Sequence, residues 1–206
     1  TNLITGICDA FFDSIPTVFI TGQVNTFESR GQYAVRQRGF QETDIVSMVE
    51  PVTKYAKYVE SPDKIKYYLD SAFASATSGR MGPVLLDIPM NVFRAEVDPD
   101  TLQGAELQEK NTSKETFNRA VLTLTTALNR AKRPCCLIGN GVKITKAQDF
   151  IKEFCHKFHI PMITSMIAFD VVNDDSQNYG FIGAYGDRTA NFVVAKSDLV
   201  ITIGTR

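Results

Sequence analysis

Pro16-Thr-Val-Phe-Ile-Thr-Gly-Gln-Val24, then a polar, basic connection through Arg36 and Arg38, then Gly39-Phe-Gln-Glu-Thr-Asp44, is the stretch from which the fold is read. Thr17 to Thr21 is short, β-branched and aromatic, which suits a buried parallel strand better than a half-exposed one. Gly22 at its end lets the backbone turn or approach another group closely. Ligands of open α/β sheets sit beyond the carboxyl ends of such strands. Gln23 and the loop after it are therefore the first place to look for function. Standing alone, the stretch would read as an ordinary strand-to-helix connection.

Working outward, Thr1 or Asn2 can cap a first helix with Leu3, Ile4, Ile7, Ala10 and Phe11 on one face, broken at Asp13-Ser14. After the loop, Glu42 to Val49 carries Ile45, Val46 and Val49 at helical spacing, and Pro51 stops it. Thr53 to Val59 alternates polar and aromatic residues, the pattern of a strand with one wet face. Ser61-Pro62-Asp63 is a helix start, because serine caps, proline is pre-set for the first turn and aspartate suits the dipole. Ile65, Tyr68, Leu69, Ala72 and Ala76 form its buried stripe, and Gly79 is placed to end it. Gly82 to Pro89 is a second short apolar strand bounded by prolines. Strand, helix and strand in this order indicate a parallel α/β sheet.

The character changes from Asn91 to Asn111, where the chain turns polar and aperiodic. Residues 96–111 are read as an interdomain linker between a first unit, 1–95, and a second, 112–206. The second unit opens on a capping box, Thr112 with Glu115, before a helix with Phe117, Ala120, Val121, Leu124 and Leu128 inward. A strand from Cys135 to Ile138 runs into Gly139-Asn140-Gly141. Thr145 and Gln148 form another box, starting a helix with Ala147, Ile151, Phe154, Cys155 and Phe158 on its apolar face. Ile160 to Thr164 is a strand, Asp187 caps a further helix, and Asp198 to Ile203 is a last strand ending in Gly204. The expected fold class is α/β: parallel sheets with flanking helices, in two incomplete three-layer α/β/α units. The chain lacks an initial Met and stops directly after a strand, which reads as a fragment of a longer protein.

Composition narrows the classes of function. With 22 Lys and Arg against 23 Asp and Glu, the net charge is −1, and the signs are intermixed. That is no electrostatic footprint for nucleic acid or an anionic membrane. No apolar run approaches bilayer length, and Thr1-Asn-Leu-Ile-Thr-Gly6 is not a signal peptide. Cys8, Cys135, Cys136 and Cys155 lack zinc or redox spacing and read as reduced core residues of a cytoplasmic protein. His156 and His159 fall around one helix end, too few for a metal site, and a structural role is expected.

For chemistry, the glycines at 139 and 141 follow a strand and precede a helix, as phosphate-cradling loops do, although Ile144 stands where the dinucleotide fingerprint has its third glycine. A tight strand-to-helix turn explains them as well, yet the amides of Asn140 and Gly141 could face a phosphate. Gln23, Gln41 and Glu42 lie at the two ends of one loop, and Gln41 can donate and accept at once, which suits orienting a ligand. Glu42, just inside a helix start, reads as a dipole partner. Arg30, Arg36 and Arg38 could receive a carboxylate or phosphate, while a solvated basic loop is favoured for each taken singly. No Ser/His/Asp set, Cys/His pair or paired-carboxylate motif is visible. Residue chemistry reaches an α/β ligand-binding protein and stops.

The segments Thr1-Asn-Leu-Ile-Thr-Gly-Ile7, Ile20-Thr-Gly-Gln-Val24, Phe40-Gln-Glu-Thr-Asp-Ile-Val46, Pro51-Val-Thr-Lys54, Thr77-Ser-Gly-Arg80 and Gly82-Pro-Val-Leu-Leu-Asp-Ile-Pro89 together resemble the thiamine-diphosphate-dependent decarboxylase and acetolactate synthase family. Arg133-Pro134, Gly139-Asn-Gly141 and Ser197 to Arg206 extend the resemblance over essentially the whole chain. It implies that residues 1–95 are the later half of a pyrimidine-binding domain and 112–206 the first half of a Rossmann-like central domain. It further implies a parent enzyme using thiamine diphosphate and Mg2+ on a 2-keto acid, by decarboxylation or carboligation, as a homodimer or homotetramer whose site lies between subunits. The family's catalytic glutamate precedes the segment where this chain begins and its diphosphate and magnesium site belongs to a third domain, so no catalytic residue is expected here and the chain alone should be inactive. By the same resemblance Gln23, Phe40 and Gln41 match positions beside the cofactor and substrate channel. Gly139, Gly141 and Arg206 match positions near a nucleotide, and FAD is allowed there. Asn25 replaces the proline usual in acetolactate synthases, Met90 replaces their lysine, and the loop from Phe27 to Arg38 is longer and more basic. These departures favour a member with a different 2-keto acid or acyl acceptor. The alternative is a non-catalytic nucleotide- or partner-binding module of the same fold.

Overall fold

The computed structural model describes residues 2–106 and 113–205. The chain divides into two compact units, Thr1–Asn111 and Thr112–Arg206, and each is an α/β layer structure built on parallel strands.

In the first unit, β1 (Val18–Gln23), β2 (Tyr55–Tyr58) and β3 (Val84–Pro89) form a parallel sheet in the order β1-β3-β2. Central β3 is buried at all six positions, as a strand covered on both faces must be. Its alternation sorts the two faces. Val84, Leu86 and Ile88 pack with Ala72 and Ala76 of α3 (Ile65–Thr77), while Leu85 packs with Ile7 of α1 (Leu3–Asp13) and with Ile45 and Val49 of α2 (Ile45–Val49). Fully buried Leu85, Leu86 and Ile7 each contribute on the order of 2 kcal/mol by leaving water. A period of two therefore places Asp87 with Leu85 on the α2 side, and this one charged residue inside an apolar strand becomes central below. A single turn, α4 (Met90–Phe93), follows β3 directly.

Several local expectations are corrected. Asn2 makes no side-chain capping bond, and Thr1 lies outside the described residues. The second helix starts at Ile45, not Glu42, because Asp44 takes the N-cap and accepts from the Ser47 backbone N–H at 3.1 Å. Residues 62–64 form a 3-10 turn leading into α3, and the Ser61 hydroxyl bonds the Asp63 carboxylate rather than a backbone donor. The helix ends at Thr77, two residues before Gly79, whose φ is +56°. A Cβ on Gly22 would meet nothing within 4 Å, so neither close approach nor a turn explains that glycine.

In the second unit, β4 (Pro134–Ile138), β5 (Met162–Thr164), β6 (Asn178–Phe181) and β7 (Leu199–Ile203) form a parallel sheet in the order β6-β5-β4-β7. Cys136, Ile138 and Met162 pack under α7 (Gln148–Lys157) and the C-terminal half of α5 (Lys114–Arg130). Cys135 and Ile163 pack against Ala190 of α8 (Arg188–Lys196). Strand β6 escapes the sequence pattern, because Asn-Tyr-Gly-Phe is short, unperiodic and bent at Gly180, with φ +94°.

The expected capping residue Thr112 lies outside the described residues, and Ser113 caps α5 by accepting from Thr116 N–H at 3.2 Å. Phe117, Ala120 and Val121 are exposed rather than inward. The strand beside α5 is the sheet edge β7, and a groove of about 480 Å³ stays open between them. Thr145 does not box with Gln148. Its hydroxyl donates to the Gly141 carbonyl at 2.9 Å, closing the short α6 (Asn140–Ile144) instead. Asp187 occupies the N-cap of α8, but its carboxylate accepts from Phe181 N–H at 3.0 Å. His156 lies 2.9 Å from Asp175, and the four cysteines are unpaired, with Cys135, Cys136 and Cys155 buried.

Candidate functional site

The registers of β1 and β2 on β3 put Thr21, Asp87 and Tyr58 in one row at the carboxyl ends of the strands. Asp87 is 2% exposed. A buried carboxylate must be hydrogen-bonded to be tolerated, and two donors reach it from β1. Thr21 Oγ1 donates at 2.7 Å and Gln23 Nε2 at 2.9 Å. Burial raises the Asp87 carboxyl above its ordinary value, the Thr21 and Gln23 bonds pull it down, and nearby Asp44 pushes it up again. The Tyr58 hydroxyl is likewise raised, by burial first and then by Asp87 and Glu42.

Gln23 spends its amide inside the protein. Besides Asp87, Nε2 donates to the Thr43 carbonyl at 2.8 Å, while Oε1 accepts from Val24 N–H at 3.0 Å. This residue, expected to face a ligand, ties the end of β1 to β3 and to the far end of the following loop. A second tie lies alongside, where Asn91 Oδ1 accepts from Thr26 N–H at 2.9 Å and Asn91 Nδ2 donates to Thr26 Oγ1 at 3.1 Å.

Between these anchors the loop closes on Glu42. Its Oε1 accepts from Arg30 N–H at 2.7 Å and Ser29 Oγ at 3.0 Å; its Oε2 accepts from Arg38 N–H at 2.9 Å and Gly39 N–H at 3.3 Å. What burial the group has would raise its pKa, but the donors from Arg30, Arg38, Ser29 and Gly39 outweigh that and hold it at about 2. Glu42 is therefore the loop's clasp and not a helix-dipole partner. Arg36 and Arg38 are exposed, and Arg30 is half-buried. The Arg38 guanidinium lies 5.2 Å from the Tyr33 ring centroid, a cation–π contact at the surface.

Gln41 stands apart from this web. Its φ is +60°, a left-handed conformation that a non-glycine residue adopts at a cost of about 1–2 kcal/mol. Its side chain is exposed and makes no hydrogen bond among the described residues, and Phe40 beside it is 85% exposed. Strained backbone held by its surroundings often marks a functional position. Here the turn displays an amide and an aromatic ring at the carboxyl edge of the sheet.

In the second unit the glycines serve close packing. A Cβ on Gly139 would come within 2.2 Å of the Gly204 carbonyl oxygen, and one on Gly141 within 2.8 Å of the Gly204 Cα. Gly139 N–H donates to Ile203 O at 2.8 Å and Gly141 N–H to Gly204 O at 2.9 Å. The Gly141 amide, expected to be open to a phosphate, is thus committed to Gly204, the residue that follows β7. At the carboxyl end of β5 the Thr164 hydroxyl is buried with no hydrogen-bond partner among the described residues, an orphan of the kind a ligand or water satisfies. Arg206 lies outside the described residues.

The structure brings Gln23, Phe40 and Gln41 to one strand-end loop and divides them into one anchor and two displayed groups. Sequence reasoning missed Asp87 and Asn91. The signal for Asp87 was present as a lone carboxylate within an otherwise apolar buried strand; Asn91 carried none. Among the described residues no group of three or more His, Cys, Asp and Glu is placed to hold a metal ion. No helix of the described residues is long and apolar enough to cross a membrane.

Residues 121–206 match the family model for the thiamine pyrophosphate enzyme central domain. The whole chain aligns with acetolactate synthase large subunits. It is 29% identical to that of Lactococcus lactis, covering 35% of its length. It is 33% identical to that of Parasynechococcus marenigrum, covering 33%, and 35% identical to that of Mycobacterium tuberculosis, covering 32%. The chain spans about a third of the length of the curated relatives it matches. The chain is thus similar along its whole length to acetolactate synthase large subunits, and its second unit matches the central domain of thiamine pyrophosphate enzymes.

Proposed function

We propose that this chain is part of a thiamine-diphosphate-dependent enzyme that acts on a 2-keto acid by decarboxylation, carboligation or both. The observation that carries this reading is the alignment of the whole chain with acetolactate synthase large subunits. When bound, the cofactor supplies a carbanion that adds to the keto carbon and then stabilises the charge left by departing carbon dioxide. The contribution of this chain is positional. Gln41 presents an amide that can donate to a keto or carboxylate oxygen and accept from an amine, Phe40 offers an apolar face, and Gln23 holds the loop from behind.

In this reading residues 1–95 are the later half of the pyrimidine-binding domain, 96–111 the linker, and 112–206 the first half of the central domain. The enzyme is a cytoplasmic homodimer or homotetramer, Mg2+ is held by segments outside this chain, and the chain alone is inactive. Gly139, Gly141 and Arg206 lie near an FAD or nucleotide site, for which the unpartnered Thr164 hydroxyl is the supporting feature. Asn25 and Met90 favour a 2-keto acid or acceptor other than that of acetolactate synthesis. Titrating the full-length protein with thiamine diphosphate and Mg2+, then assaying several 2-keto acids, tests the reading. Saturable cofactor binding with carbon dioxide release is expected, and no binding would end it in favour of a non-catalytic module.

A further inference from the structure

We propose that Asp87 is a positioning residue for the Val24–Thr43 loop, acting through Gln23 to fix the turn that displays Phe40 and Gln41. Asp87 sits on the most buried strand of the first unit, where every position is covered. It is joined to Gln23 at 2.9 Å, and the same Gln23 nitrogen reaches the Thr43 carbonyl at 2.8 Å. Thr43 lies between the left-handed Gln41 and the N-cap Asp44. The chain of contacts therefore runs from a rigid strand, through one side-chain amide, to the backbone beside the strained turn. Thr21 holds the other carboxylate oxygen at 2.7 Å, so the carboxylate cannot rotate away from Gln23 without losing a second bond. A polar residue kept in so apolar a strand costs stability that Leu or Val would not, which fits a role in geometry. Asp87 touches none of the displayed groups, so its effect on them is indirect.

The test is hydrogen exchange followed by mass spectrometry on the full-length protein, comparing wild type with Asp87→Ala, Asp87→Asn and Gln23→Ala. Asp87→Ala and Gln23→Ala should each speed exchange in peptides covering 24–43 by about tenfold, the size of one lost hydrogen bond to a charged group. Peptides of β3 and α3 should change far less. Asp87→Asn should restore most of the protection, because its carbonyl can still accept from Gln23 while its amide donates to the Thr21 hydroxyl. Unchanged exchange in 24–43 for Gln23→Ala would overturn the proposal, as would acceleration spread evenly over the first unit. Gln23→Ala decides the matter even if Asp87→Ala fails to fold. This readout needs no cofactor, so failure of the wild type to bind thiamine diphosphate would defeat the functional reading and leave the positioning role to be judged by exchange. If the functional reading holds, the proposal further expects Asp87→Ala to lower kcat while Asp87→Asn recovers it.

Discussion

The Glu42 carboxylate accepts the Arg30 backbone N–H at 2.7 Å across twelve residues of sequence. The same group takes Arg38 and Gly39 on its other oxygen, so one side chain closes both ends of the loop. Replacing it leaves four donors without their acceptor. Because the site is largely open to water, which can take over those bonds, Glu42→Ala should cost only about 1 kcal/mol of stability. Its larger effect should be faster proteolysis within residues 30–38, and unchanged cleavage there would count against the clasp.

The pH dependence of this clasp has a definite sign. Glu42 is depressed from an ordinary 4.5 to about 2 in the folded protein. A carboxylate with a lowered folded value contributes stability that is fully present above its unfolded value and lost as pH falls through the folded one. The wild-type loop should thus loosen between about pH 4.5 and 2. Glu42→Gln should lack that transition, which exchange or proteolysis at stepped pH would show.

Gln41 separates function from stability. Its φ of +60° is strain that glycine does not bear. Gln41→Gly should leave the full-length protein as stable as wild type, or up to about 1 kcal/mol more stable. Turnover should fall, because the displayed amide is gone. Gln41→Ala keeps the strain and removes the amide, and it should lower activity more than stability. Denaturant unfolding beside steady-state kinetics distinguishes these outcomes.

The glycine seam of the second unit predicts the reverse. Gly139→Ala would press a methyl group into the Gly204 carbonyl, 2.2 Å away, and backbone cannot swing aside as a side chain can. A loss of about 2–3 kcal/mol is expected, the range of an overpacked core. Gly22→Ala, with nothing within 4 Å of the added carbon, should be close to neutral. Thermal unfolding of the two variants checks the contrast.

Thiol chemistry offers a further check on packing. Cys135, Cys136 and Cys155 are fully buried, and Cys8 is partly exposed. A maleimide applied to the native chain should label Cys8 first and reach the others only on unfolding. Peptide mass spectrometry would show the order, and early labelling of Cys136 would contradict the packing of β4 against α7.

Much of the architecture was legible because it is written in local patterns. The apolar runs at 17–21 and 82–89 announced parallel strands, but only the second is fully buried: β1 lies at the sheet edge, half-covered, with Ile20 48% exposed. Ile65, Tyr68, Leu69, Ala72 and Ala76 pack on the sheet as their spacing predicts. What escaped depends on contacts between distant residues. Thr145 and Gln148 match a capping pattern, yet the carbonyls of the preceding turn compete for the Thr145 hydroxyl and win it. Gln23 looked free to bind a ligand because its partner stands 64 positions away. Glu42 looked like a helix residue because the loop that folds back onto it has no periodicity to betray its shape. Gly139 and Gly141 resembled a phosphate cradle, but the close neighbour that requires them is Gly204.

The clasp at Glu42 also separates what lies inside the loop from what lies outside it. Ser29, Arg30, Arg38 and Gly39 are gathered onto one carboxylate, and the bonds from Arg30, Arg38 and Gly39 are made by backbone N–H groups whatever side chains those positions carry. The span from Gly31 to Gln37 hangs from this closure as an interchangeable cassette. Because the closure is made largely by main-chain groups, a shorter or differently charged span spliced between Arg30 and Arg38 should leave β1 and the turn at Gln41 in their places.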